Sequence, residues 1–261
     1  MLELYTSEPN TFFLKPLVAL HEKQAKFESR WIDTDKFEQF ALRPASDVEA
    51  HLHLEREGPL LRHEGTLISN SFFMLEYIAE TLPGVALMPN DAFDKYRAHA
   101  SGQFLGGHLG ALVPILGCVK YLAPRLALLP RARLDATLAK VEPVERRQNW
   151  RALLDGTYTP QILATARERL KLPVSRVEAT LASGPWLAGP DYSIADIDAF
   201  AMLRVIPDLA PEVVNARDTP RITEYLARIE ARPAVKAALA TTRSGKPAEA
   251  FVPGVEPSRW G

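Results

Sequence analysis

Two short segments in the first third of the chain combine residue types that could bind a ligand carrying a carboxylate. Gly58-Pro59 is followed, eleven residues after the proline, by Asn70-Ser71 at the start of an amphipathic run. A helix N-terminus presents unpaired N–H groups and a partial positive charge, so a carboxylate binds there readily, and Ser71 would add a hydroxyl donor. The alternative is that these polar residues only cap the helix, a role that Asn and Ser favour without any ligand.

Composition and charge exclude several classes of partner. The chain has 261 residues, which is long enough for two compact domains. Its formal net charge of −1 gives no electrostatic footprint for nucleic acid or an anionic membrane, so we predict neither partner. Its one cysteine, Cys118, excludes an internal disulfide and a cysteine zinc cluster and favours a reduced, cytoplasmic protein. No metal-ligand spacing is found in the sequence.

The N-terminus and the most apolar window predict no membrane segment. Polar residues begin by Thr6, which leaves no room for a signal peptide. The window Leu109–Leu129 is the most hydrophobic, but two prolines, a lysine and an arginine interrupt it well short of a spanning helix. We therefore expect a protein that neither spans a membrane nor is secreted.

The first part of the chain predicts a small mixed α and β domain. Short apolar runs and amphipathic runs follow one another in the order β-α-β and then β-β-α, which is a thioredoxin-like unit. The predicted strands are Met1–Thr6, Phe27–Asp33, Pro59–His63 and Thr66–Ile68, and the predicted helices are Leu14–Lys23 and Phe72–Thr81. The predicted fold class of this part is α+β.

From Asp91 onward the signals are helical. The predicted helices cover about 91–119, 130–142, 145–153, 161–182, 194–206, 219–230 and 233–241. We predict a thioredoxin-like domain at 1–82, an all-helical domain at 90–242, and a tail at 243–261 that is an extended arm or disordered.

A folding signal precedes the predicted helix 194–206. Ser193 and Asp196 stand three residues apart immediately before an apolar run. This is the spacing of a capping box, in which each side chain satisfies the backbone N–H of the other residue. We assign this pair to folding and not to chemistry.

The wider context of this box, aromatic-Leu-x-Gly-x-x-Tyr-Ser-x-Ala-Asp over Trp186–Asp196, is typical of the C-terminal domain of glutathione transferases. With Ala231–Val235, it makes the chain resemble that family over about 1–242. More narrowly, the chain is similar to the glutathione-dependent β-aryl etherases of lignin-degrading bacteria. The segments behind this narrower similarity are Met1–Tyr5, Leu14–Leu17, Lys36–Gln39 and the region from Gln148–Arg151 through Val174–Glu178.

The resemblance implies where glutathione, the co-substrate, would bind. In the family a cis-proline turns its backbone toward the cysteinyl part of glutathione, which implies a cis Gly58–Pro59 peptide here. A Glu/Gln-Ser pair holds the γ-glutamyl carboxylate, a role that falls on Asn70 and Ser71. Protonated His53, with His51, could meet the glycyl carboxylate. Two positions differ from the family pattern. Gly58 stands where Val is usual, and Asn70 stands where Glu or Gln is usual.

The thiol-activating position departs from the resembling etherases. They carry an Asn-Ser pair two residues before a shared Leu-Lys-Pro, whereas this chain has Phe12-Phe13 there. Neither ring donates a strong hydrogen bond to sulfur, and two large rings would crowd the thiol. We take Thr11 as the catalytic candidate, with Ser7 and Thr6 as further candidates. The alternative role for Thr11 is a helix N-cap.

A stripe of glycines marks the first long helix. Gly102, Gly106 and Gly110 recur every four residues, at a cost of about 1 kcal/mol each relative to alanine. They indicate close helix packing or room for a bulky ligand, and we expect close packing. The resemblance places the aromatic-substrate pocket and the dimer contact on this helix.

Three function classes compete. The first is a glutathione-dependent β-etherase that cleaves β-aryl ether bonds of lignin-derived aromatics by thiolate attack. The second is a catalytically impaired subunit that pairs with an active sister chain in a heterodimer. The third is an aromatic-ligand binding protein. We predict that this chain is a component of a glutathione-dependent β-etherase system and that it assembles as a dimer.

Overall fold

The computed structural model describes residues 1–36, 38, 58–139, 141 and 144–254. Among these residues, the N-terminal part contains a four-stranded sheet, two α-helices and a short 3-10 helix, Thr34–Lys36. Each strand and α-helix lies within two residues of its predicted ends, and the predicted thioredoxin-like unit is confirmed. The strands are β1 (Leu2–Thr6), β2 (Glu28–Trp31), β3 (Leu60–His63) and β4 (Thr66–Ile68), and the helices are α1 (Leu14–Glu22) and α2 (Ser71–Thr81).

The register of the sheet brings three chain segments to one end of it. The strand order is β2-β1-β3-β4, with β1 parallel to β2 and antiparallel to β3, and β3 antiparallel to β4. Tyr5 pairs with Leu60 and Leu61 pairs with Ile68. Continuing both registers past the strand ends places Pro59 between Thr6 on one side and Asn70 on the other. The end of β1, the start of β3 and the end of β4 therefore share one edge.

Helix α1 packs between the sheet and the helical part of the chain. Leu14, Leu17 and Leu20 are all buried, at the spacing of one helix face. At its C-terminal end, Lys23 Nζ donates to the carbonyl oxygens of Ala79 and Leu82 at 2.9 Å each. These carbonyls belong to the last turn of α2, where no intrahelical donor is left. The contact ties the ends of α1 and α2 together.

The rest of the chain is helical in the part that the structure describes, as predicted. The helices are α3 (Ala92–Gly117), α4 (Ala123–Leu126), α5 (Arg131–Leu138), α6 (Val144–Leu154), α7 (Pro160–Thr180), α8 (Ile194–Leu203), α9 (Ile206–Leu209), α10 (Pro220–Glu230) and α11 (Pro233–Leu239). A π-helical turn, Cys118–Leu122, joins α3 to α4. The short helices α4 and α9 were not predicted as separate elements.

Helix α8 is the centre of the helical core, because all of its residues are buried. The predicted capping box is confirmed at its start. Asp196 Oδ2 accepts from the backbone N–H of Ser193 at 2.9 Å, and Ser193 Oγ accepts from the N–H of Ala195 at 3.3 Å. The second carboxylate oxygen of Asp196 accepts from the Leu187 N–H and the Tyr225 hydroxyl. Asp196 therefore joins three segments of the core.

The run Ala92–Leu126, from α3 through α4, is long and apolar enough to cross a membrane by length and composition alone. About two thirds of its most apolar window, 67%, is buried inside the protein. The core helix of a soluble protein passes the same test.

Candidate functional site

The loop between β1 and α1 (residues 7–13, the β1–α1 loop) is held by an asparagine that the sequence reasoning did not single out. Asn10 Oδ1 accepts from the N–H groups of Phe12 at 2.9 Å and Phe13 at 3.1 Å. The Asn10 carbonyl also accepts from Leu14 N at 3.1 Å, which starts the helical hydrogen bonding. Asn10 thus occupies the capping role, and the N-cap alternative for Thr11 is wrong. The available signal was the Glu8-Pro9-Asn10 turn.

The Thr11 hydroxyl takes no part in this cap. Thr11 is 2% exposed, and its Oγ1 is buried with no hydrogen-bond partner in the described part of the chain. A buried hydroxyl without a partner costs about 1–3 kcal/mol. A polar atom of a ligand that reached this loop would satisfy it. The assignment of Thr11 as a catalytic residue stays a prediction.

The two phenylalanines of the loop differ in position. Phe13 is fully buried in the protein, whereas Phe12 is only partly buried. The Phe12 ring centroid lies 5.8 Å from Lys15 Nζ. Phe13 thus belongs to the core, and of the two rings only that of Phe12 reaches the surface of the loop. The expectation that the rings crowd the thiol stays a prediction.

The start of α2 carries the second part of the site. Asn70 Oδ1 accepts from the N–H of Phe72 at 2.9 Å and of Phe73 at 3.4 Å, so Asn70 caps the helix. Asn70 has φ 67° and ψ 116°, outside the regions that a non-glycine residue ordinarily adopts. Such strain costs about 1–3 kcal/mol and clusters at ligand-binding sites. Ser71 follows as the first helical residue and is largely buried.

The peptide between Gly58 and Pro59 is trans, since the described residues contain no cis peptide bond. The prediction of a cis bond is wrong. The trans form of an X-Pro bond is preferred by about 0.5–1 kcal/mol, and a glycine before the proline imposes no side-chain constraint against it. Pro59 is buried directly before β3. His53 lies outside the described residues, so its contact with a ligand stays a prediction.

A buried ion pair lies behind the β1–α1 loop. Lys15 Nζ is 2.6 Å from Asp198 Oδ1, and both side chains are almost fully buried. Burial raises the pKa of Asp198, and the Lys15 ammonium opposes that rise. The pair joins α1 to α8. Sequence reasoning missed it, although a carboxylate inside the fully apolar face of α8 was a possible signal.

The surroundings of the three glycines on α3 differ between the first glycine and the other two. A side chain at Gly102 would meet the Phe72 ring at 2.0 Å, so close packing is confirmed at this position. Among the described residues, no atom lies within 4 Å of a Cβ added at Gly106 or Gly110. The second half of the stripe therefore leaves open space beside α3, which is the alternative that we did not favour.

The tail after Arg243 is ordered in the range that the structure describes. Phe251 and Val252 are buried at 2% and 3% exposure, and the backbone continues along α3 to Gly254. The described residues 243–254 thus lie against the helices, and the assignment of 243–261 as a tail stays a prediction. A small cavity between α3, α6 and this arm is lined by Ile115, Leu153 and Pro253, among others.

Comparison with known proteins finds similarity to glutathione S-transferases. The family described as "Glutathione S-transferase, C-terminal domain" matches residues 139–233. Protein LigF of Sphingobium sp. is 28% identical over 244 residues, which cover 90% of this chain and 91% of that protein. Residues 139–233 thus match the C-terminal domain of glutathione S-transferases, and the chain is similar to LigF over nine tenths of its length. Two tobacco proteins described as probable glutathione S-transferases match over about a third of this chain, one at 33% and the other at 32% identity.

Solved structures of glutathione transferases share the fold. The crystal structure of β-etherase LigF from Sphingobium sp. strain SYK-6 has a TM-score of 0.81 at 26% identity, and the match covers 92% of this chain and 99% of that one. A glutathione transferase homologue from Sulfitobacter with bound glutathione has a TM-score of 0.62 at 18% identity. The similarity to the etherase spans both the sheet and the helical part of this chain.

Proposed function

We propose that this chain binds glutathione between the β1–α1 loop and the start of α2 and transfers its thiolate to an aromatic substrate. The observation that carries the proposal is the convergence of two features at one end of the sheet. One is the buried Thr11 hydroxyl, which has no hydrogen-bond partner among the described residues, and the other is the strained Asn70 cap followed by Ser71. A carboxylate of glutathione would bind at the N-terminus of α2, where the helix dipole favours negative charge and Ser71 offers a hydroxyl donor.

The proposed reaction is cleavage of a β-aryl ether. The sulfur of glutathione attacks the carbon that bears the aryloxy group, a C–S bond forms, and the C–O bond breaks with its electron pair leaving on the phenolic oxygen. The thiol proton is lost before attack, because the thiolate is the nucleophile. Thr11 would donate a hydrogen bond to the thiolate and so favour it. The similarity to a β-etherase over nine tenths of the chain supports this substrate class.

The experiment combines binding with turnover. Calorimetry with reduced glutathione should give a measurable affinity for the wild-type chain. A β-aryl ether that releases a coloured phenol should then be cleaved only when glutathione is present. Absence of binding would refute the proposal, and binding without cleavage of any aryl ether would reduce it to a glutathione-binding role.

The second candidate function is a weakly active subunit that pairs with a related catalytic chain. The trans Gly58–Pro59 peptide and the partly exposed Phe12 favour it, because both alter the place where the thiol would lie. Co-expression with a related transferase chain, followed by assays of each chain alone and together, separates the two candidates. Activity of this chain alone would count against the second.

We also propose a cytoplasmic dimer. The single buried Cys118 accords with a reducing compartment. Aromatic side chains on α2 and the first turns of α3 are exposed, and large exposed apolar patches mark interaction surfaces. They are Phe73, Phe93 and Tyr96, and the last two stack on each other with ring centroids 6.0 Å apart.

A further inference from the structure

The described end of the chain, residues 242–254 (the C-terminal strap), is fastened to the β1–α1 loop by one carboxylate. Glu8 accepts from the N–H of Arg243 at 3.0 Å and of Ser244 at 2.8 Å. The same carboxylate accepts from the hydroxyl groups of Thr242 at 2.5 Å and Ser244 at 3.1 Å. Hydrogen bonds to an ionised acceptor are about twice as strong as neutral ones. Glu8 therefore gathers four donors from the strap.

A second tie is made by a buried arginine at the end of α8. Arg204 donates from one terminal nitrogen to the carbonyl of Pro9 at 2.8 Å and to the carbonyl of Pro247 at 2.7 Å. The first carbonyl belongs to the β1–α1 loop and the second to the strap. Burial lowers the pKa of Arg204 to about 10, which still leaves the guanidinium charged at neutral pH. The loop and the strap thus share one buried cation.

The far end of the strap is anchored away from the loop. Phe251 is 2% exposed and lies against Gly117, where an added Cβ would be 2.2 Å from its ring. Its ring is parallel to that of Tyr121, with centroids 6.0 Å apart. Asn149 Nδ2 donates to the carbonyl of Gly254 at 3.1 Å. These contacts fix the strap to α3, the π-helical turn and α6.

We propose that the C-terminal strap positions the β1–α1 loop for catalysis, with Glu8 as the positioning residue that joins them. The inference rests on the proposed function, because it assigns the strap a part in thiol activation by Thr11. Glu8 and Pro9 precede Thr11 by three and two residues, and both are held by groups outside the loop. A displacement of about 1 Å in a catalytic group lowers the rate by about 100-fold.

The proposal predicts that a substitution at the far end of the strap changes the β1–α1 loop. If the strap only packs against the helices, loosening Phe251 affects the strap and leaves the loop alone. If the strap positions the loop, Phe251→Ala loosens both, although Phe251 makes its ring contacts on α3 and the π-helical turn. The two cases differ in the amide exchange of Phe12 and Phe13, whose N–H groups Asn10 binds.

The experiment compares Glu8→Gln, Phe251→Ala and the control Leu138→Ala in the full-length chain. Leu138 is fully buried on α5, which lies outside both the strap and the loop. Hydrogen exchange of the loop amides is measured first, without glutathione. In both test variants the loop amides should exchange about tenfold faster or more, and in the control their exchange rate should not change. Both should also lower kcat by about tenfold with a smaller change in KM for glutathione.

Each outcome decides the inference. Fast exchange in 250–254 with unchanged loop exchange and unchanged kcat in Phe251→Ala would overturn it. If Phe251→Ala fails to fold, Phe251→Leu and Glu8→Gln carry the same comparison. If the wild type binds no glutathione, the proposed function fails, while coupled exchange of strap and loop would still establish the mechanical link.

Discussion

Asn10 and Thr11 are neighbours with separate roles in the β1–α1 loop. The amide oxygen of Asn10 binds two consecutive N–H groups and fixes the loop at the start of α1. This oxygen makes the cap, and the Thr11 hydroxyl has no hydrogen-bond partner in the part of the chain that the structure describes. A substitution at Thr11 can therefore test chemistry without removing a hydrogen bond seen there.

Thr11→Ala should raise the pKa of the bound glutathione thiol and lower kcat by about 10- to 100-fold. The reason is that a hydrogen bond to a charged group contributes about 1.5–3 kcal/mol. Thiolate absorbance against pH and initial rates measure the two effects. Thr11→Ser keeps the hydroxyl and serves as the control. An unchanged thiol pKa in Thr11→Ala would mean that a backbone N–H is the donor.

At the start of α2, substitutions at Asn70 and Ser71 should separate stability from binding. Asn70→Ala removes the cap and leaves alanine at a positive φ, so it should lower the free energy of unfolding by about 0.5–2 kcal/mol or more. Ser71→Ala should leave stability nearly unchanged and weaken glutathione binding by about 1.5–3 kcal/mol. Thermal melts and calorimetry on both variants provide the comparison. An equal loss of stability in Asn70→Ala and Ser71→Ala would contradict the separation of a capping role from a binding role.

At the scale of elements, the start of α8 is a structural centre. Ser193→Ala should lower the free energy of unfolding by about 0.5–2 kcal/mol through loss of the cap, with no selective effect on glutathione affinity. Chemical denaturation and calorimetry measure the two quantities. Lost binding at an unchanged melting temperature would show that this box belongs to a site.

The same element should impose a pH dependence on stability. Burial raises the pKa of Asp196 to about 6 from its ordinary 3.8. Between about pH 4 and 6 the folded state therefore binds more protons at Asp196 than the unfolded state does, so its contribution to stability falls as pH rises through this window. Denaturation of wild type and Asp196→Asn from pH 4 to 7 should show this slope in the wild type only. Parallel curves would contradict the raised pKa.

The order of the longer elements, and the bounds of those in the N-terminal part, could be predicted from sequence because their signals are local. Alternating burial in β1 and the spacing of Ser193 and Asp196 lie within a few residues of chain. The Lys15–Asp198 pair could not be predicted, since its partners are far apart in sequence and meet only when α1 packs on α8. The isomer of the Gly58–Pro59 peptide likewise depends on tertiary contacts.

The candidate site was predictable in part for the same reason. The polar residues at the two helix starts are visible in the sequence, and the sheet register brings the two starts together. That Asn10 rather than Thr11 makes the cap, and that Phe13 turns into the core, depends on the packing of the whole loop. The contact between Glu8 and the strap joins the two ends of the chain and has no local signal.

At the scale of the whole molecule, assembly should depend on the exposed aromatic residues of α2 and α3. Phe73, Phe93 and Tyr96 are 59%, 59% and 64% exposed, which is unusual for side chains of this size outside an interface. We expect Phe73→Ser combined with Phe93→Ser to convert the proposed dimer to a monomer while the fold is kept. Sedimentation and circular dichroism measure these. A wild-type chain that sediments as a monomer would contradict the prediction.

The contact between Arg243 and Trp31 gives the protein an optical signal of its own. The guanidinium lies 4.1 Å from the centroid of the Trp31 ring, so the indole has a cation over its face only while this part of the chain is docked. Removing the cation is expected to shift the emission of Trp31, and the difference spectrum between wild type and Arg243→Ala isolates that shift from the other tryptophans. Docking and release of the C-terminal end can then be followed in real time by intrinsic fluorescence, without any attached dye.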